Sequence, residues 1–300
     1  VNYLLLFLGL STLACAAEQP SFRNSAPLDR LVHDTAAAAV DRFGTGGLTP
    51  DNIAVTIIDL ADPKIPVRAT YRGEESIYPA SVVKLFYLVA AYHQMESGVL
   101  QRTPELERAL HDMIVDSSND ATHFVVDMLT GTTGGPELGE AALHDWAEKR
   151  HWMNRYFAAL GYDKINVNQK TWCEGPYGRE RQGLGPDFVN RNKLTTDAVA
   201  RLWYEIVTGR AASPAGTREM MNLLHRDPFV KSEDPDDQAT AYSGKSLPQG
   251  SQYYSKADWT SDTRHDTAYI RLPNGAEYIL SVFTVDNSKQ TKILPFVSQW

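Results

Sequence analysis

The segment Tyr78-Pro79-Ala80-Ser81-Val82-Val83-Lys84-Leu85-Phe86-Tyr87 places a serine and a lysine three residues apart at the head of an apolar run. The run continues through Leu88 and Tyr92 to Ser97-Gly98, which predicts a buried helix with Gly98 as its C-terminal cap. Residues i and i+3 share one face of a helix, so Ser81 and Lys84 point into the same space. A lysine among apolar neighbours is expensive to bury unless it is paired or has lost its proton. A partly desolvated amine beside a hydroxyl is one route to an activated serine nucleophile. Ser-x-x-Lys alone is a weak motif that a chain of 300 residues produces by chance, so the pair gains weight only from its context.

Three hundred residues can bury a full core as one large domain or two lobes. A net charge of -8 argues against nucleic acid as a partner, because phosphate binding wants a basic face. Neither zinc-type Cys/His spacing nor a Gly-rich phosphate loop is found, and the His residues are scattered, so no metal or cofactor is expected. At the start, Tyr3-Leu4-Leu5-Leu6-Phe7-Leu8-Gly9-Leu10 is too short to span a bilayer and is followed by small Ala14-Cys15-Ala16-Ala17. This matches the apolar core and cleavage region of a secretory signal peptide over residues 1–17, although the basic residues that usually precede them are missing. A buried N-terminal strand is the competing reading. Leu13-Ala14-Cys15 also loosely resembles a bacterial lipobox, which would make Cys15 a lipid anchor and the only link to a membrane. The expectation is an exported protein, periplasmic or secreted, and monomeric. Cleavage would leave Cys173 as the one thiol, so no internal disulfide would support the core.

Along the chain, helical spacing covers 28–43, and alternation rich in Val and Ile predicts a strand over 52–60 with a hairpin partner over 67–71. Helices are predicted over 104–115, 122–129 and 138–160. From 161 to 191 the pattern dissolves into a long Gly-, Pro- and charge-rich loop, of the kind that is usually functional or disordered. Thr195-Thr196-Asp197 then caps a helix to Val207. Strands follow at 252–259, 267–272 and 277–285, with a terminal helix over 291–300. The order predicts an α/β (α+β) fold, an antiparallel five-stranded sheet flanked by helices. Its sheet lobe takes 28–78 and 208–300, with an all-helical lobe, 79–207, inserted between, all within a catalytic domain over 22–300.

Three sites fall in sequence order: Ser81-x-x-Lys84, Ser117-x-Asn119 and Lys256-Ala257-Asp258. Together they resemble the signature elements of the serine penicillin-recognising enzymes, the class A β-lactamases and penicillin-binding proteins. Thr133-Gly134-Gly135-Pro136, Leu194-Thr195-Thr196, Leu247-Pro248-x-Gly250 and Thr263-Arg264-His265-Asp266 resemble further family segments in the same order, so the resemblance covers about residues 30 to 300. It implies that Ser81 attacks the carbonyl of a β-lactam or an acyl-D-amino acid peptide and forms an acyl-enzyme. Lys84 would accept the serine proton, and Ser117, linked to Lys256, would relay it to the departing nitrogen. Asn119 would hold the substrate's acylamino carbonyl. Backbone N–H groups of Ser81 and Trp259 would form the oxyanion hole, each donor being worth about 3 kcal/mol of barrier. Lys256 and Arg264 would meet a substrate carboxylate.

The pattern also departs from that family. The loop glutamate that positions the deacylating water in class A lacks its usual Glu-x-x-Leu-Asn context. Trp172-Cys173-Glu174-Gly175-Pro176 makes Glu174 the expected base, with Glu180 as rival. Ser118 stands where class A commonly has aspartate. Ala257-Asp258 replaces Thr-Gly, removing one hydroxyl and adding a side chain where glycine lets substrate lie against the strand. The segment between the first two sites is also shorter than in class A, which opens the cleft. Three readings follow: β-lactam hydrolysis first, then a D,D-peptidase or esterase with the same acylation apparatus, then a sensor module that acylates without turnover.

Overall fold

A computed structural model describes residues 19–172 and 174–299. The expected signal peptide and Cys15 lie outside the described residues, as does Cys173. Helix α1 (Ala26–Phe43) leads into the hairpin β1 (Ile53–Asp59) and β2 (Val67–Tyr71). Then come α2 (Lys84–Glu96), α3 (Pro104–Ile114), α4 (Asn119–Thr130), α5 (Glu140–Arg150), α6 (Trp152–Ala159) and α7 (Gly178–Leu184). Helices α8 (Thr196–Val207) and α9 (Pro214–Leu224) precede β3 (His225–Arg226), β4 (Gln252–Trp259), β5 (Thr263–Arg271), β6 (Glu277–Val285) and α10 (Ile293–Ser298).

The sheet has six strands in the order β2-β1-β6-β5-β4-β3, every pair antiparallel, rather than the five expected. The extra strand, β3, is two residues long, too short for an alternating pattern to betray. The single helix expected over 138–160 is two, α5 and α6, separated at His151. The expected loop over 161–191 contains the short helix α7, and α9 lies in a stretch that drew no prediction.

Alternation along the strands builds two cores. In β6, Leu280 and Val282 face a layer with Val32, Ile293 and Leu294 from α1 and α10. Ile279 and Phe283 face the opposite layer, with α2 and α8. The sheet is therefore covered on both faces, and the last two strands accordingly read as nearly unbroken buried runs. Although α8 falls inside the expected helical insert, it packs against β1, β5 and β6. Helix α2 is buried around almost its whole circumference, with His93 as its one exposed position before Glu96. That burial explains its all-round apolar sequence. Among the described residues no helix is long and apolar enough to cross a membrane.

Candidate active site

Ser81 sits in a turn of 3-10 helix, Ala80–Val83, that runs directly into α2, and the Lys84 N–H donates to the Ser81 carbonyl. Ala80 is held at φ 48°, a left-handed conformation that costs a non-glycine residue about 1–3 kcal/mol. Two contacts secure this turn. His265 Nε2 donates to the Tyr78 carbonyl at 2.9 Å, and the Arg191 guanidinium lies 3.4 Å from the centre of the Tyr78 ring. The Thr284 N–H donates to His265 Nδ1, so the hydrogen on this ring is on Nε2. Burial depresses the His265 pKa to about 4, which keeps the ring neutral.

Ser117 lies on the loop between α3 and α4, also strained, at φ 56°. Two lysines converge on its hydroxyl: Lys84 Nζ at 3.2 Å and Lys256 Nζ at 2.9 Å. Lys84 Nζ also donates to the Ser117 carbonyl at 2.5 Å and to Asn119 Oδ1 at 2.8 Å. Asn119 is the first residue of α4, which Ser118 caps by accepting from the Ala121 N–H. Its amide nitrogen donates to the Trp172 carbonyl at 3.3 Å, tying the 161–191 loop to the site. Lys256 Nζ further donates to Gln238 Oε1 at 2.7 Å and to the Ala257 carbonyl at 2.9 Å. Both lysines are fully buried. Burial, and then the neighbouring Lys84 charge, pulls the Lys256 pKa well below the ordinary amine range.

Strand β4 presents one edge to this cluster. β3 pairs with Tyr253 and Tyr254, so among the described residues β4 has no strand on that side from Ser255 onward. By alternation Lys256 and Asp258 share a face, opposite to that of Ala257, which belongs to the core with α1 and α10. The Asp258 carboxylate accepts the Ser81 N–H at 2.7 Å.

The structure thus brings Ser81, Lys84, Ser117, Asn119 and Lys256 into one site. Other expected residues stand differently. Trp259 is 47 % exposed and lines the cleft. Arg264 pairs with Trp259 across β4 and β5, on the face away from Lys256. It is 1 % exposed, stacks 4.3 Å from the Tyr242 ring centre and donates to Asp236 at 2.8 Å, so its charge already has a carboxylate. Glu174 is exposed. Its backbone carbonyl merely accepts from the Tyr177 hydroxyl. Glu180 is committed to Arg150, at 2.8 and 3.0 Å, and to Lys170 at 3.3 Å. Glu174 thus faces solvent, and Glu180 is held in an ion cluster with Arg150 and Lys170.

A cleft of about 530 Å³ opens beside Ser117, lined by Gln238, Tyr242, Asp258 and Trp259. Asp116, Asp234, Asp236 and Asp237 join Asp258 on its walls, against the single Arg226. Gln238 and Asp236 were not foreseen, because the irregular 227–242 stretch carries no periodicity to anchor a prediction.

An antiparallel sheet packed on helices, with the serine, lysine and asparagine elements converging at one strand edge, defines the class: this is a member of the β-lactamase and penicillin-recognising superfamily. The chain belongs to the beta-lactamase enzyme family, whose model matches residues 101–299. Among solved structures it is similar to a leucine-to-glutamate variant of PBP-A described as an acyl-enzyme complex with penicillin G. That pair is 18 % identical over 93 % of this chain and 96 % of the other, with a TM-score of 0.63. It is also similar to a β-lactamase from Sphaerobacter thermophilus, 20 % identical over 89 % of this chain and 95 % of that one, TM-score 0.61. A β-lactamase from Chitinophaga pinensis is 15 % identical over 89 % and 97 %, TM-score 0.63. No curated protein sequence matches the chain.

Proposed function

We propose that this protein is an exported serine hydrolase that opens β-lactam rings through an acyl-enzyme at Ser81. The observation that carries this reading is the pair of buried lysines donating to the Ser117 hydroxyl, with Lys84 one turn along from Ser81. In the reaction, Ser81 Oγ bonds to the lactam carbonyl carbon while its proton passes to Lys84. The C–N bond breaks as Ser117 delivers a proton to the ring nitrogen and is resupplied from Lys84. Asn119 takes the acylamino carbonyl, and Lys256 fixes the Ser117 hydroxyl. Water then cleaves the ester, releasing the acid and restoring Ser81. A small-molecule substrate is implied, with no cofactor.

A second reading is favoured by the placement of the two loop glutamates. Glu174 is exposed and Glu180 is engaged by Arg150, which supports a D,D-peptidase or esterase that empties β-lactam adducts slowly. A time course with a chromogenic cephalosporin, followed by intact-mass measurement, separates the two. Sustained turnover lost in Ser81→Ala supports β-lactam hydrolysis. A stoichiometric burst with a persistent adduct supports the second reading. Neither burst nor adduct overturns both.

A further inference from the structure

We infer that the Asp258 carboxylate occupies the oxyanion pocket of the resting enzyme and gates acylation of Ser81. The inference rests on the reading of Ser81 as nucleophile. The Ser81 N–H is the donor that the proposed chemistry aims at the developing oxyanion, and Asp258 Oδ2 already takes it at 2.7 Å. That length lies in the range of charge-assisted bonds, which are stronger than neutral ones. A carboxylate there obstructs twice. It occupies the donor, and its charge opposes the negative charge that grows on the substrate oxygen.

The neighbouring anion-recognising group is satisfied in the same manner, since Arg264 Nη1 donates to Asp236 on the cleft wall. Two of the groups that would read a substrate's negative charge, the Ser81 N–H and Arg264, therefore hold carboxylates from the chain itself. Geometry makes the contact a property of the fold. Asp258 is two residues beyond Lys256, so alternation points it at the Ser81 turn, and that turn packs directly on β4. Acylation must wait for Asp258 to leave the Ser81 N–H, and the departing carboxylate enters a cleft that already holds four other aspartates.

The test compares the full-length wild type with Asp258→Gly and Asp258→Asn. Acylation by a chromogenic cephalosporin is followed by stopped flow and by mass. Removing the carboxylate is expected to raise the acylation rate about 10- to 100-fold in the glycine variant. The asparagine variant should gain less, because its amide oxygen still accepts, without charge. A second readout needs no activity: the Ser81 amide proton, observed by nitrogen-edited NMR, should lie downfield in the wild type and move upfield in Asp258→Gly. Equal acylation rates in wild type and Asp258→Gly would overturn the gate and leave Ser81 as nucleophile. A slower glycine variant whose unfolding midpoint is unchanged would overturn it too, by making Asp258 a helper. No adduct in any of the three proteins would bring down the nucleophile reading, and the gate with it.

Discussion

At the scale of single residues, the site turns on two lysine amines sharing one hydroxyl. Lys84 and Lys256 both donate to Ser117 Oγ, and Lys256 is the one whose charge the surroundings oppose most visibly. Between its depressed folded pKa and the ordinary amine value, the unfolded chain binds a proton that the folded chain has released. Stability must therefore rise with pH across that window, and the destabilisation is fully present only below it. Lys256→Met removes the titration. The stability difference between wild type and Lys256→Met, from urea unfolding at pH 7 to 9.5, is expected to shift in favour of the wild type as pH rises. A flat difference would mean that Lys256 keeps an ordinary pKa. The placement of Ser81 and Lys84 at the head of one buried helix was legible in the sequence because three residues of spacing on an apolar helix leave little freedom. The strained φ of Ala80 and Ser117 was not, since neither residue type advertises a left-handed backbone.

Among the elements, the loop between α6 and α8 is the part that tertiary contacts must hold. Arg150, 1 % exposed, is clamped by Glu180 and lies 4.4 Å from the centre of the Trp146 ring, while Lys170 pairs with Asp127 at 2.7 Å. The Gly134-Gly135-Pro136 turn completes the dock. Its carbonyls at Gly135 and Pro136 accept from Arg179, and a Cβ at Gly178 would lie 2.0 Å from the Gly135 oxygen. Glu180→Gln leaves a buried guanidinium short of its carboxylate, so a loss of about 3 kcal/mol is expected. Faster amide exchange should be confined to the docked segment around 169–185. An unchanged unfolding midpoint would show the cluster to be dispensable. The sequence marked this stretch, through its length and composition, as a long loop, functional or disordered. It also singled out Glu180, but as a rival base rather than as the anchor of a buried ion cluster, because pairing across thirty residues leaves no local trace.

For the whole molecule, the candidate catalytic groups come from both sides of one interface. Ser81 and Lys84 lie at the start of α2, Ser117 and Asn119 at the start of α4, and Lys256 and Asp258 on β4. Helix α2 holds these parts together through Phe86, whose ring meets Phe157 at 4.9 Å and Tyr162 at 5.9 Å. Phe86→Ala should cost about 3–5 kcal/mol in global stability. It should also slow acylation, since the cavity lies one turn from Ser81. Unfolding followed by tryptophan fluorescence and by circular dichroism, with acylation measured in parallel, checks both. Full acylation rate in a strongly destabilised variant would show that the site is insulated from the core.

Spacing and apolar period, by themselves, determined the helix that carries Ser81 and Lys84, the order of the motifs and the antiparallel sheet made from the two ends of the chain. These are short-range properties: side-chain direction repeats every two or 3.6 residues, and burial selects the apolar face. The tertiary structure decided the rest. It turned Glu174 to solvent, gave Glu180 to Arg150, engaged Arg264 with Asp236 and brought Asp258 onto the Ser81 amide. Each of those outcomes is a competition among charged groups far apart in the chain. Its winner depends on which partner the folded backbone brings within hydrogen-bond reach, and no local pattern encodes that distance.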